Sequence, residues 1–177
     1  RMHIDDFCTD SLRRQLLTLK EMGVNSIRSA HNMPAAHMLD LCDELGLLLY
    51  TESFDMWEKT KTDYDYANDF KDWWKKDLES WVRQDRNHPC VFIWGIGNEI
   101  YDTYFDRGLE VAKELHEAVR QLDYRKNAYT TIASNYIEWE AAQRTGEVTD
   151  LVGYNYLDKC YDEHHKKYPD GIFFGSE

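Results

Sequence analysis

"DRNHPCVFIWGIGNE", Asp85 to Glu99, passes from charged residues and a His-Pro into an apolar run, then stops on an amide and a carboxylate. The apolar residues do not alternate with polar ones. That pattern predicts a strand buried on both faces, as in a parallel sheet covered by helices. Ending such a strand on Asn98-Glu99 predicts that it emerges into a site, because barrel enzymes gather their chemistry from the C-terminal ends of several strands.

Five more runs have the same character: Asn25 to Ala30, Leu47 to Glu52, Ala128 to Ala133, Leu151 to Tyr156 and Ile172 to Glu177. Helical patterns lie between them. Leu12, Leu16, Leu19 and Met22 recur at three- and four-residue spacing, with Gly23 where a C-terminal cap belongs. Met38, Leu41 and Leu45 repeat this before Gly46. Phe70, Trp74, Leu78, Trp81 and Val82 mark a longer helix, and Leu109, Ala112, Leu115 and Val119 a fourth. Weaker helical patterns cover Tyr136 to Arg144 and Cys160 to Tyr168. Strands and helices in βαβα order predict an α/β fold with a parallel sheet and right-handed crossovers.

A doubly wound sheet and a (β/α)8 barrel both satisfy that order. The strand ends favour the barrel. They carry Arg28 with His31, Glu52, Asn98-Glu99, Asn155-Tyr156 and Ser176-Glu177. There is no Gly-x-Gly-x-x-Gly after the first strand and no Walker lysine motif, so a nucleotide-binding domain lacks its usual phosphate loop.

Composition narrows the partners. The 177 residues include 33 acidic and 21 basic side chains, for a net charge of -12. This argues against a nucleic-acid or anionic-membrane surface. No run of 18 apolar residues is present. No signal peptide is visible, although a chain starting at Arg1 is compatible with a lost leader, and the compartment stays open between cytoplasm and secretion. Cys8, Cys42, Cys90 and Cys160 lie far apart, without zinc-ligand spacing. "CYDEHHKKY", Cys160 to Tyr168, is expected to be a solvated helix start rather than a metal site. No cofactor is identifiable.

Two of the strand ends finish on glutamate, at Glu99 and Glu177. Carboxylates on separate strands of one barrel rim can face each other across a pocket, which is what glycoside hydrolysis requires.

The long motifs around them resemble glycoside hydrolase family 2, the family of β-galactosidases, β-glucuronidases and β-mannosidases. "DRNHPCVFIWGIGNE" resembles the family's acid/base signature. "NSIRSAHNMPAAHMLDLCDELGLLLYTE", Asn25 to Glu52, resembles its other signature, departing from it at "HNMP", where many members have His-Tyr-Pro. The resemblance covers nearly the whole chain and implies an incomplete (β/α)8 barrel covering roughly strands 2–7. Residues 1–177 are then expected to be part of a catalytic domain. "RMHIDDF" looks like the end of barrel strand 1, with a sugar-binding sandwich and an immunoglobulin-like domain before it in full-length members. An open barrel exposes apolar edges, so the piece alone is expected to be unstable, oligomeric or inactive.

The same resemblance implies a retaining, exo-acting β-glycosidase. Glu99 would be the acid/base, with a pKa raised by its setting, and Glu177 the ionised nucleophile. Asn98 would bind the sugar 2-hydroxyl. Arg28 would hold Glu177 by charge-assisted hydrogen bonds, and Tyr156 would donate its hydroxyl to it. His3 and His31 are expected to line the sugar subsite, with Asp55 and Trp57 walling the pocket. His37, His88 and His116 are expected to be structural, and Trp94 to fill the barrel or wall a subsite. Terminal β-galactosides are the first expectation for substrate, because "HNMP" and "ESFDMW" resemble bacterial β-galactosidases; β-glucuronides come second. A divalent or sodium ion assists some members, but its ligands are not identifiable here. The complete enzyme is expected to be a homo-oligomer. The alternative of another class is a carbohydrate-binding or scaffold piece that keeps the pocket without turnover.

Overall fold

A computed structural model of the chain describes residues 4–126 and 128–177. Six strands alternate with six helices: α1 (Ile4–Glu21), β1 (Ser26–Arg28), α2 (Ala36–Leu45), β2 (Leu48–Glu52), α3 (Ala67–Asp85), β3 (Val91–Asn98), α4 (Asp106–Leu122), β4 (Tyr129–Ser134), α5 (Glu140–Gly146), β5 (Leu151–Tyr154), α6 (Tyr161–Lys167) and β6 (Phe173–Gly175). Short 3-10 turns follow β3, at Tyr101–Tyr104, and precede α6, at Asp158–Cys160.

The strand order decides between the two architectures. All pairs are parallel, and each strand lies beside the next in sequence, from β1 through β6. A doubly wound sheet reverses its order at a switch point; this one never does. The edge strands β1 and β6 do not pair, yet the Arg28 Nη1 donates to the Ser176 carbonyl at 3.0 Å. The sheet therefore curls until its two edges face each other, as a partial barrel.

Two packed layers follow from that curl. The larger lies between sheet and helices, where Leu49, Trp57, Phe70, Leu78, Trp81, Trp94, Ile96 and Leu115 interlock. Burying side chains of this size is worth roughly 1.5–3 kcal/mol each. The smaller lies inside the curl and joins Tyr50, Ile93 and Leu151 to Phe92 and Phe174. Gly95 makes room there: a Cβ on it would fall 2.4 Å from the Tyr50 ring and 2.9 Å from Glu52 Cγ. A cavity of about 440 Å³ remains between the edge strands, lined by Ile27, Tyr50, Phe92, Leu151 and Phe174.

Several expectations need correction. Trp94 neither fills the barrel nor walls a subsite. It points outward, donates its indole N–H to Asp123 at 2.9 Å and meets Trp81 edge-on at 5.1 Å. "RMHIDDF" is not a strand end over its described part, because α1 is helical from Ile4. The Cys160–Tyr168 segment does start a helix whose Asp162, Glu163, His165, Lys166 and Lys167 are exposed, but two of its residues turn inward. Cys160 and His164 are buried, and the Tyr154 hydroxyl meets His164 Nδ1 at 2.7 Å. The helix ends agree with the glycine signals: Gly46 takes a left-handed φ of 67°, and its N–H reaches back to Asp43. His88 bonds Asp43 at 2.7 Å and His116 bonds Thr130 at 2.8 Å, both structural contacts, and His37 lies within α2. No helix among the described residues is long and apolar enough to cross a membrane.

Candidate active site

The site forms where the C-terminal ends of the strands converge. Register builds its first pair. Arg28 on β1 stands opposite Tyr50 on β2, so Glu52, two residues on, points to the same side. Glu52 is 0 % exposed. Arg28 answers it with two nitrogens, Nε to Oε2 at 2.6 Å and Nη2 to Oε1 at 3.0 Å. Burial works against the Arg28 charge, but the Glu52 bond prevails, so the guanidinium holds its proton more tightly than usual. The remaining Arg28 contacts reach across the rim: Nη1 donates to Glu177 Oε2 at 3.0 Å, and Nη2 to Asn98 Oδ1 at 2.8 Å.

Glu177 follows β6 and is tied back by the neighbouring strand end. The Tyr156 N–H donates to its carbonyl at 3.0 Å, and the Tyr156 hydroxyl to its Oε1 at 2.5 Å. That hydroxyl is the chief reason the Glu177 carboxyl titrates below its ordinary value; slight burial opposes it and Arg28 adds to it. His31 Nδ1 meets Glu52 Oε1 at 2.8 Å, and its Nε2 lies 3.9 Å from Glu177. The Glu52 bond raises the His31 pKa, against partial burial.

Glu99 ends β3 in a left-handed turn with φ 46°, its N–H held by the Ala133 carbonyl at 2.8 Å. Asn155, just past β5, joins the two glutamates. Its Nδ2 lies 3.2 Å from Glu99 Oε1 and 3.3 Å from Glu177 Oε2, as well as 3.0 Å from Asn98 Oδ1. Ser176 fixes that amide by donating to its Oδ1 at 2.6 Å. Phe54, Glu99 and Tyr156 all have positive φ, at 68°, 46° and 61°. Each stands one or two residues past a strand end. Such backbone costs on the order of 1–3 kcal/mol per residue and persists where the surroundings over-determine it.

The loop after β2 supplies another node. Lys61 Nζ donates to Asp55 Oδ1 at 2.7 Å and to the Asn98 carbonyl at 2.9 Å. Asn98 Nδ2 donates to the same Asp55 oxygen at 2.9 Å. Burial pushes the Asp55 carboxyl up, but Lys61 and Asn98 together outweigh it, so Asp55 sits below its ordinary value. Asp55 and His31 also line a cavity of about 540 Å³, with Phe54, Tyr66, Asp65 and Asp77.

Residues 5–168 match the family model described as glycosyl hydrolases family 2, TIM barrel domain. The chain belongs to this family. It is similar to Beta-galactosidase BoGH2A of Bacteroides ovatus, at 35 % identity over 99 % of this chain and 25 % of the relative. A putative beta-glucuronidase of Formosa agariphila is 42 % identical over 63 % of this chain and 10 % of its own length. A crystal structure of a glycosyl hydrolase family 2 member from Bacteroides cellulosilyticus superposes with a TM-score of 0.90 at 38 % identity, covering 95 % of this chain and 21 % of that one. The chain spans about a quarter or less of the length of these relatives.

Within this family 2 barrel, the structure brings together Arg28, His31, Asp55, Asn98, Glu99, Tyr156 and Glu177 of the residues singled out from sequence. His3 lies outside the described residues. Trp57 is the correction: it is wholly buried, with its indole N–H on the Ile96 carbonyl at 2.9 Å, and it lines neither of the two cavities described above. Glu52, Asn155 and Ser176 stood out in the sequence only as strand ends without a role, and nothing there marked Lys61. The signal for Glu52 was present, because a glutamate closing an apolar run needs a cation, and Arg28 was the nearest at a strand end. Among the described residues, no group of three or more His, Cys, Asp or Glu side chains is arranged to hold a metal ion.

Proposed function

We propose that this family 2 barrel hydrolyses terminal β-galactosides with retention, through a covalent glycosyl-enzyme. One observation carries the mechanism: a single amide nitrogen, Asn155 Nδ2, is within hydrogen-bond reach of both Glu99 and Glu177. Two carboxylates sharing one donor are close enough for the roughly 5–5.5 Å spacing of a retaining pair rather than the wider spacing that leaves room for a water.

Glu177, kept ionised by Tyr156 and Arg28, is the nucleophile. Its oxygen forms the bond to the anomeric carbon as the bond to the leaving oxygen breaks. Glu99 gives that oxygen its proton, then takes one from the water that releases the sugar. Asn98 binds the sugar 2-hydroxyl. Its Nδ2 has one hydrogen on Asp55 and a second left for the sugar. Arg28 aligns Glu177, and His31 and Asp55 line the subsite.

The galactoside choice is supported by charge. Asp55 is held ionised on the cavity wall, alongside Asp65 and Asp77. Lys61 pairs with Asp55 and His31 lines the same wall, but the three carboxylates outnumber these groups, so a uronate carboxylate adds to an excess of negative charge whereas a neutral hexose meets hydrogen-bond acceptors. The β-glucuronide reading draws support from the putative beta-glucuronidase relative. The test uses the full polypeptide. A 2-fluoro β-galactoside should label Glu177, and 4-nitrophenyl β-galactoside should be cleaved faster than the β-glucuronide. A label on another residue refutes the nucleophile assignment; the reverse preference refutes the substrate.

A further inference from the structure

Two residues past Glu99 the chain enters the 3-10 turn Tyr101–Tyr104. Ile100, between them, is extended and buried, so Tyr101 turns the other way and is 40 % exposed. The loop after β4 brings two more rings against this turn. Tyr136 lies 5.8 Å from Tyr101 and 4.9 Å from Tyr104, centroid to centroid, and Trp139 lies 5.9 Å from Tyr104. Trp139 is 59 % exposed. Four aromatic rings from two loops thus meet at the surface instead of in either core layer, an arrangement that suits an incoming apolar face.

Strand order locates the cluster. The sheet runs in sequence order, so the end of β4 lies between the end of β3, which carries Glu99, and the end of β5, which carries Asn155 and Tyr156. Arg28, His31 and Glu52 occupy the β1–β2 side of Glu99. Chemistry supplies the rest. A general acid must touch the oxygen that departs, so the leaving group lies on the acid's side of the scissile bond.

We infer that Tyr101, Tyr104, Tyr136 and Trp139 form the platform for the leaving group, which is a flat ring with an apolar face, either a pyranose or an aryl group. The inference rests on the acid/base role proposed for Glu99.

The test measures kcat/KM of the full polypeptide on three substrates with the same glycosyl group: a β-linked disaccharide, an aryl β-glycoside and the β-glycosyl fluoride, which has no leaving ring. Trp139→Ala and Tyr101→Ala should each lower the ratio of ring substrate to fluoride by about three- to ten-fold, the scale of one aromatic contact. A fall for the disaccharide alone identifies a pyranose site, and a fall for the aryl glycoside alone an aryl site. Unchanged ratios, whether from equal losses on all three substrates or from no loss, overturn the platform. Glu99→Ala belongs in the same series. If it spares the fluoride relative to the disaccharide while the aromatic variants leave the ratios flat, the platform alone has failed. If Glu99→Ala damages all substrates alike, the acid assignment has failed and the platform with it.

Discussion

Arg28 meets Glu52 through two nitrogens, at 2.6 and 3.0 Å, and Glu177 through one, at 3.0 Å. The arginine is thus anchored on a buried carboxylate and presents one edge of its fork to the proposed nucleophile. The planar guanidinium is what lets it serve both.

Arg28→Lys keeps a charge and loses the fork. Turnover should fall about ten- to a thousand-fold, equivalent to roughly 1.4–4 kcal/mol. Glu177 titrates below its ordinary value partly through Arg28, so its pKa should rise in the variant. An ionised nucleophile is then lost at a higher pH on acidification, and the acidic limb of the kcat/KM profile moves upward. Normal turnover with an unmoved limb refutes the alignment role.

Tyr156→Phe isolates the largest contribution to that same shift. The acidic limb should move upward further than any change in the basic limb. A pH–rate series on one aryl glycoside reads this directly.

Glu52→Ala should be the most destabilising of these changes. It leaves Arg28 without its buried partner, and breaking a buried pair costs about 3–5 kcal/mol. Urea unfolding should show a loss well above that of Glu177→Gln, whose side chain is one-third exposed. Equal losses count against Glu52 as the anchor.

His31 gives stability a pH dependence. Its folded pKa is raised by Glu52, so the stabilisation is complete below the ordinary histidine value of 6.5 and is lost as pH rises through the raised folded value. His31→Asn should flatten that decline in an unfolding series across neutral pH.

Lys61→Met should raise the Asp55 pKa, because burial would then be opposed by Asn98 alone among its two hydrogen-bond donors. Carboxyl-carbon NMR titration measures it. The Asn98 carbonyl also loses a donor, so kcat should fall on poor leaving groups.

The elements were legible because their signals are local. Short β-type runs, most of them largely apolar, marked all six strands, and Gly23 and Gly46 marked where α1 and α2 stop. The paired carboxylates were legible too, since each closes such a run. Side-chain direction was not. Trp94 read as a barrel-filling or subsite residue because an apolar run does not say which face of the sheet each member takes, and a one-residue shift reverses it, while Trp57 lies in the loop after β2, where no periodicity shows which way a side chain turns. The register of β3 against β4 slips between Gly95 and Asn98, which further hides the direction. Lys61 sits in a loop without periodicity, and its role depends on Asp65, whose carboxylate caps the N–H groups of Lys61, Thr62 and Ala67. Asn155 read only as a strand end, since nothing in "LVGYNY" says that its amide spans two other strand ends.

The curl of the sheet has a consequence for the order of events in folding. Every strand pairs with the next one along the chain, so the sheet can grow by short steps, each closing a modest loop. The contact between Arg28 and Glu177 is different, because its partners are 149 positions apart in sequence. It exists only after all six strands are in place and the first has met the last. The proposed nucleophile therefore acquires its cation at the final act of assembly, when the two edges of the six-stranded arc meet, rather than on formation of any one part.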